Sequence, residues 1–285
     1  MMSIKQFIPS QLKKVVSQSI FKYRQITSGN RCLPNFIIIG AQKSGTTSLY
    51  YYLSQHYQLT SSNVKEVHYF DGGPDFDVDT FKKGESWYRA HFPLLKNIDK
   101  DHKVYESSPL YIFNPLAPKR ILEAIPEVKL ILILRNPTER AISHYFHEKR
   151  KGYELLPILE AFQAEEKRMK SVIDEEDYKN DIFLHTSYKS RGLYFEQIKR
   201  YLNYFPRSSI LILNSDDLSY NQEETLRQVY EFVGVDADYK IQNIKQQNVS
   251  NDKTKVESDV RKYLDDYFAP HNQELYELIG KDFKW

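Results

Sequence analysis

Cysteine is almost absent: Cys32 is the only one among 285 residues. A single thiol closes no intramolecular disulfide, so nothing in the chain asks for an oxidising compartment. No run approaches the ~18 consecutive apolar residues of a membrane span. Excess charge of one sign is missing too. The net charge of +2 gives no general electrostatic case for nucleic acid as a partner, and it confines anion recognition to local sites. Metal-ligand spacing is lacking: His144 and His147 lie three apart on an expected helix with no third ligand, and they read as a surface pair. Repeats and low-complexity tracts are absent as well. What remains is ordinary globular composition, 41% hydrophobic and 27% charged, long enough to bury a sizeable α/β core.

Residues 1–33 read as a leader ahead of a domain at 34–285. Lys5, Lys13, Lys14, Lys22 and Arg24 alternate with Ile4, Phe7, Ile8, Leu12, Val15, Val16, Ile20 and Phe21, the pattern of a basic, weakly amphipathic helix. It lacks the compact apolar centre and small-residue cleavage site of a signal peptide. Two readings stand: peripheral contact with the inner face of a membrane, or a leading helix packed on or frayed from the domain.

Within the domain, Phe36–Ile39 is a continuous apolar run, as in a strand buried on both faces, and Val128–Leu134, apolar except at Lys129, is a second buried strand. Ile210–Leu213 is a third strand and Lys103–Glu106 a weaker fourth. Helical segments follow near Ser48, across 139–150, and across 223–233 up to Gly234. The alternation predicts an α/β fold with a central, mostly parallel sheet flanked by helices as a three-layer sandwich. The loops after Ile39, Glu106, Leu134 and Leu213 should then converge at the strands' carboxyl ends, where such sheets bind ligands. Residues 151–190, rich in Glu, Lys and Arg and carrying the acidic run Asp174–Asp177, read as a solvated helix and loop. The 22 tyrosines are scattered; Tyr50, Tyr51 and Tyr52 suit core and cleft packing.

The segment Gly40-Ala41-Gln42-Lys43-Ser44-Gly45-Thr46-Thr47 joins the first strand to a helix. It fits the phosphate-loop pattern at Gly40, Gly45 and Thr47, but its lysine stands at 43 rather than after the second glycine. The cradle survives that shift, because glycines let backbone N–H groups approach an anion and the helix start adds partial positive charge. A nucleoside triphosphatase also needs a strand-end carboxylate for Mg²⁺; the strand ending at Leu134 offers Arg135 instead, a group suited to a second anion. The residues therefore predict a site for two separated anionic groups without a dedicated metal.

These residues resemble the sulfotransferases that use 3′-phosphoadenosine 5′-phosphosulfate, most closely the heparan-sulfate-type and bacterial branches. The resemblance runs through 42–49, Leu134–Tyr145, Lys65–Asp71, Trp87–Pro93, Glu106–Tyr111, Arg191–Tyr194, Tyr267–Asn272 and Gly280–Trp285. It implies a P-loop NTPase-like fold. It assigns Gln42, Lys43, Ser44, Gly45, Thr46, Thr47 and Ser48 to the 5′-phosphosulfate, and Arg135 and Ser143 to the 3′-phosphate. Arg191 and Gly192 would continue the nucleotide contacts, and Lys253 and Lys255 would close over the nucleotide. Lys43 would neutralise charge on the leaving phosphate as the sulfuryl group passes to an acceptor hydroxyl or amine, leaving adenosine 3′,5′-bisphosphate. Glu66 is the implied general base, its pKa raised by partial desolvation; His68, two residues on along an extended run, is the rival. Tyr69 and Tyr111 would line the acceptor cleft. Ser107 stands where many heparan-type relatives carry a lysine that helps hold an anionic sugar. Carbohydrate is the leading acceptor class and the cytoplasm the expected location. A P-loop kinase or NTPase, and a nucleotide-binding protein without turnover, are the alternatives.

Overall fold

The structure is a computed structural model that describes residues 10–242 and 256–285. Five strands, β1 (Phe36–Gly40), β2 (Leu59–Ser61), β3 (Lys103–Ser107), β4 (Lys129–Leu134) and β5 (Ile210–Asn214), form one sheet in the order β2-β3-β1-β4-β5. Every pairing is parallel. Gly40, Ser107, Leu134 and Asn214 therefore end at the same edge, with β1 central. The helices are α1 (Ser10–Ile26), α2 (Thr46–Leu53), α3 (Glu85–Arg89), α4 (Ala117–Ala124), α5 (Pro137–Lys151), α6 (Ile158–Asp174), α7 (Asp181–His185), α8 (Tyr194–Leu202), α9 (Ser215–Tyr220), α10 (Gln222–Val233) and α11 (Ser258–Ile279).

Side chains alternate across a strand, and both faces of β1 are buried. Ile37 and Ile39, with Leu130, Leu132 and Leu134, pack under α4, α8 and α11 through Ile121, Ile198, Tyr201 and Leu275. Phe36 and Ile38, with Ile131, Ile133 and Leu213, pack under α2 and α10 through Leu49, Leu53, Leu226 and Val229. Each such side chain contributes about 1.5–3 kcal/mol by leaving water. This is the expected three-layer sandwich, with an all-parallel sheet.

Two features differ from expectation. The edge strand β2 is only Leu59-Thr60-Ser61, too short to show a period. The segment 151–190 is a helix and loop solvated only in part: Asp174–Asp177 is exposed, as read, but α6 is not solvated all round. One face of α6 buries Ala161, Phe162, Glu165, Met169 and Val172, and Glu165 accepts from the backbone N–H of Ser190 at 2.8 Å. The charges that suggested solvent exposure include this carboxylate, which holds the chain leading into α8.

Candidate active site

The four strand ends open into one cleft of about 870 Å³. Its floor is the loop after β1. Gly40 has no room for a side chain, since a Cβ there would lie 2.3 Å from Ile112 Cγ2. Gly45 takes φ 99° and starts α2 without a side-chain cap. The first-turn N–H groups of that helix have no intrahelical acceptor, and residues 42–48 all line the cleft. A phosphate would supply the missing cap, so the loop fits such a group.

Arg135 follows β4, and its guanidinium reaches Lys43 O at 3.4 Å. Burial disfavours its charge, and Glu139 is its nearest carboxylate, at 3.7 Å. Asn136 caps α5 by accepting from Thr138 N at 2.9 Å, and Pro137 occupies the first turn. Two turns into α5, Ser143 lines the same cleft. On β5's side, Ser215, Asp216 and Tyr220 of α9 complete this half.

The other half lies toward β3. Glu66 and His68 both line it, but not as neighbours on an extended run. Both take left-handed backbone, φ 63° and 53°, as does Lys43 at 69°. Such backbone costs of order 1–3 kcal/mol per residue and persists where the surroundings impose it. Here the anchors are Glu66 N donating to Ser107 O at 2.9 Å and His68 N donating to Ser108 Oγ at 3.3 Å. The outcome is a carboxylate–imidazole–carboxylate row. His68 Nδ1 lies 2.6 Å from Asp71 Oδ2, and Nε2 lies 3.6 Å from Glu66 Oε2.

The electrostatics of this row reverse the expectation for Glu66. Burial alone would raise its pKa, but the contacts with His68 and Lys65 outweigh it and hold Glu66 at about 2. Burial also opposes the charge on His68, yet Asp71 and Glu66 lift it to about 10. His68 therefore carries a positive charge between the two carboxylates at neutral pH. Behind it, the strand-end carboxyl of β3, Glu106, is fully buried, bonded by Tyr88 Oη at 2.6 Å and by Ser108 Oγ at 3.2 Å. Burial pushes it up to about 7. It does not line the cleft, so β3 offers no Mg²⁺ carboxylate there, and a kinase reading is not favoured.

Several expected contacts fall elsewhere. Tyr69 is buried, stacked on Tyr88 at 4.6 Å. Tyr111 is buried, and its hydroxyl accepts from Tyr69 N at 2.9 Å. Ser107 is fully buried in β3. These three support the Glu66–His68 loop from behind and do not line the acceptor cleft. Gly192 is not in the cleft either: a Cβ there would meet the Phe268 ring at 2.8 Å and Pro137 at 3.0 Å, so it lets α5 and α11 approach. Arg191 does line the cleft, but it gives its donors to Ser187 Oγ, the carbonyls of Phe183 and Leu184, and Gln42 Oε1. It ties the phosphate loop to α7. Lys253 and Lys255 lie outside the described residues.

The histidine pair is not a surface pair. His144 is fully buried, and His147 lines the cleft. Both approach the buried Glu148 carboxylate, at 3.6 and 3.7 Å, which also accepts from His185 Nδ1 at 2.9 Å. Burial, then Lys43 and Lys151, lowers His147 to about 4. These wall residues escaped the sequence reading, although His147 follows Ser143 by one helical turn and so shares its face.

A buried parallel sheet with a glycine-bounded loop after β1 and Arg135 at the end of β4 defines a fold of P-loop type. The sulfotransferase domain family matches residues 33–277, and the chain belongs to that family; it is a sulfotransferase. A membrane-associated sulfotransferase of Dictyostelium discoideum, kil1, is 29% identical over 89% of this chain and 67% of its own length. The bifunctional heparan sulfate N-deacetylase/N-sulfotransferase 1 of Xenopus laevis is 30% identical over 87% of this chain. The chain spans only 30% of that relative's length. Among solved structures, a sulfotransferase from Alicyclobacillus acidocaldarius superposes with a TM-score of 0.71 at 30% identity, covering 88% of this chain and 98% of its own.

Proposed function

We propose that the chain transfers a sulfuryl group from 3′-phosphoadenosine 5′-phosphosulfate to a hydroxyl or amine of a carbohydrate acceptor. The observation that carries this reading is the convergence of the uncapped loop, Arg135 and Ser143 with Lys43, Glu66 and His68 in one cleft. Residues 42–48 would hold the 5′-phosphosulfate and Arg135 with Ser143 the 3′-phosphate. Arg135, rather than a carboxylate, stands at the end of β4, which suits a site without a dedicated metal. When bound, the donor supplies the sulfuryl group, and adenosine 3′,5′-bisphosphate departs.

Glu66 takes the acceptor's proton as the acceptor oxygen or nitrogen bonds to sulfur and the sulfur–oxygen bond to phosphate breaks. The acceptor proton becomes acidic as that bond forms, so a carboxylate with a low pKa suffices late in the step. His68, fixed by Asp71, orients Glu66. Lys43 neutralises the leaving phosphate, which keeps the electron pair. Arg191 positions Gln42. Calorimetry with adenosine 3′,5′-bisphosphate in metal-free buffer tests the donor site. Saturable binding is expected, and binding of ATP–Mg²⁺ instead would contradict the reading.

The location we propose is cytoplasmic, with α1 resting on an anionic membrane face. Among the described residues no helix is long and apolar enough to cross a membrane. The end of α1 docks through Phe21 against Trp87 and His91, and through Arg24 to Phe92 O at 3.0 Å. Leu12, Val15, Val16, Ile20, Tyr23 and Ile26 stay exposed. Residues 1–33 contain six Lys and Arg and no Asp or Glu, complementary to acidic lipid. A membrane-associated relative supports the same reading. Co-sedimentation with phosphatidylserine vesicles, lost in Val16→Glu and absent with neutral lipid, is the expected result.

A further inference from the structure

The acceptor half of the cleft carries two exposed rings. Phe76 is 56% and Tyr153 50% accessible, and both line the cleft. Their supports are built. The Tyr153 ring lies flat on His185, with centroids 3.6 Å apart and planes 4° apart. His185 is held by the buried Glu148 carboxylate at 2.9 Å, so the Tyr153 ring has a fixed backing. The Phe76 loop is fastened by Lys179, which donates to Val78 O at 2.7 Å and also to Asp75 O. Lys179 precedes α7 by two residues, and α7 carries Asp181 and His185. One short segment therefore braces both rings.

The charges around these rings do not suit a polyanion. Glu66, Glu148 and Asp181 line this half against Lys151 and the charged His68. Lys151 lies 3.8 Å from Glu148, which it partly neutralises. His147 stays uncharged at neutral pH. Lys43 sits at the donor's sulfuryl position. Beyond it the carboxylates are matched by cations, Glu66 by Lys65 and His68 and Glu148 by Lys151, so this half presents ion pairs to an acceptor rather than a cationic cluster for a polyanion. Carboxylates and imidazoles beside an aromatic face are instead the chemistry of hydroxyl-rich rings: C–H faces lie on the aromatic, and vicinal hydroxyls donate to planar oxygen pairs.

We infer that the acceptor is an uncharged sugar ring that stacks on Tyr153, with Phe76 lining the same cleft and Asp181 accepting from its hydroxyls, rather than a polyanionic glycan. The inference rests on the sulfotransferase reading and narrows its acceptor.

The test is transfer of radiolabelled sulfuryl group, at saturating donor, to a panel of size-matched neutral and uronate-bearing oligosaccharides. Binding of adenosine 3′,5′-bisphosphate is measured in parallel. A neutral member should show higher kcat/KM than its uronate counterpart. Tyr153→Ala should raise the acceptor KM roughly tenfold, with the affinity for adenosine 3′,5′-bisphosphate unchanged, and Tyr153→Phe should restore it. Phe76→Ala, at an exposed position outside the Tyr153–His185 stack, should raise the acceptor KM in the same direction. Preference for the uronate-bearing member, an unchanged KM in both alanine variants, or transfer to no oligosaccharide while the bisphosphate still binds would overturn the inference. Failure of the wild type to bind the bisphosphate would overturn the sulfotransferase reading itself.

Discussion

On the β4–β5 side of Lys43 the cleft presents a helix N-terminus, loop hydroxyls, Arg135 and Ser143. On the β3 side it presents carboxylates, imidazoles and two exposed rings, carried by four separate stretches between Glu66 and His185. The first half is built largely from backbone. Its geometry follows from Gly40, Gly45 and the start of α2, which suits the phosphates proposed for it. The second half is built from side chains brought together over more than a hundred residues, and its chemistry depends on which of them pair. Lys43 stands at the junction, so substitutions on its two sides should separate donor binding from turnover.

The largest effect is expected at the junction. Lys43→Ala should lower the transfer rate ~10²–10³-fold, as for loss of one group that stabilises developing charge, and should weaken the bisphosphate far less. Stopped-time assays of label transfer beside calorimetry would check this, and a wild-type rate would break the division at Lys43. A smaller effect belongs to the row behind Glu66, the proposed base. In Asp71→Asn the partner that holds His68 near 10 is gone. His68 then loses its proton at lower pH, while in the acid range, where Glu66 titrates, it stays charged as before. The basic limb of kcat/KM against pH, where His68 gives up its proton, should therefore move down by one or more units, with the donor half untouched.

The smallest effect on catalysis is expected at Glu106, which touches neither half. Its folded pKa is raised to about 7, so its contribution to stability is present below the unfolded value and is lost as pH rises through 7. The loss is roughly 3 kcal/mol at ~1.4 kcal/mol per unit. Glu106→Gln should remove that decline. Urea midpoints at pH 5 and pH 8 should differ less in the variant than in the wild type, and an unchanged difference would place the titration elsewhere.

The proposed donor half was legible in the sequence for the reason that makes it backbone-built. Glycines at fixed offsets after an apolar run, and Arg135 at the next such run's end, are local signals. Four of the five strands were legible in the same way; β2, three residues long, had no period to read. The acceptor half was legible only at Glu66 and His68. Glu148 and Glu165 look like solvated helix charges until α6 and α7 fold against α5, and Tyr153 looks like one scattered tyrosine until His185 arrives beneath it. Tyr69, Ser107 and Tyr111 were near the site in sequence, but the alternation of β3 and the turn after it bury them behind the loop. The Glu66–His68 pair was found, while its electrostatics were inverted because Asp71 was not recognised as the third member.

The division of the cleft into a donor half and a catalytic half is tested most directly in Glu66→Gln, with bisphosphate affinity and label transfer measured on the same preparation. Affinity equal to wild type with transfer reduced ~10²–10⁴-fold is the predicted result. Transfer at the wild-type rate, with the donor bound as tightly, would contradict it.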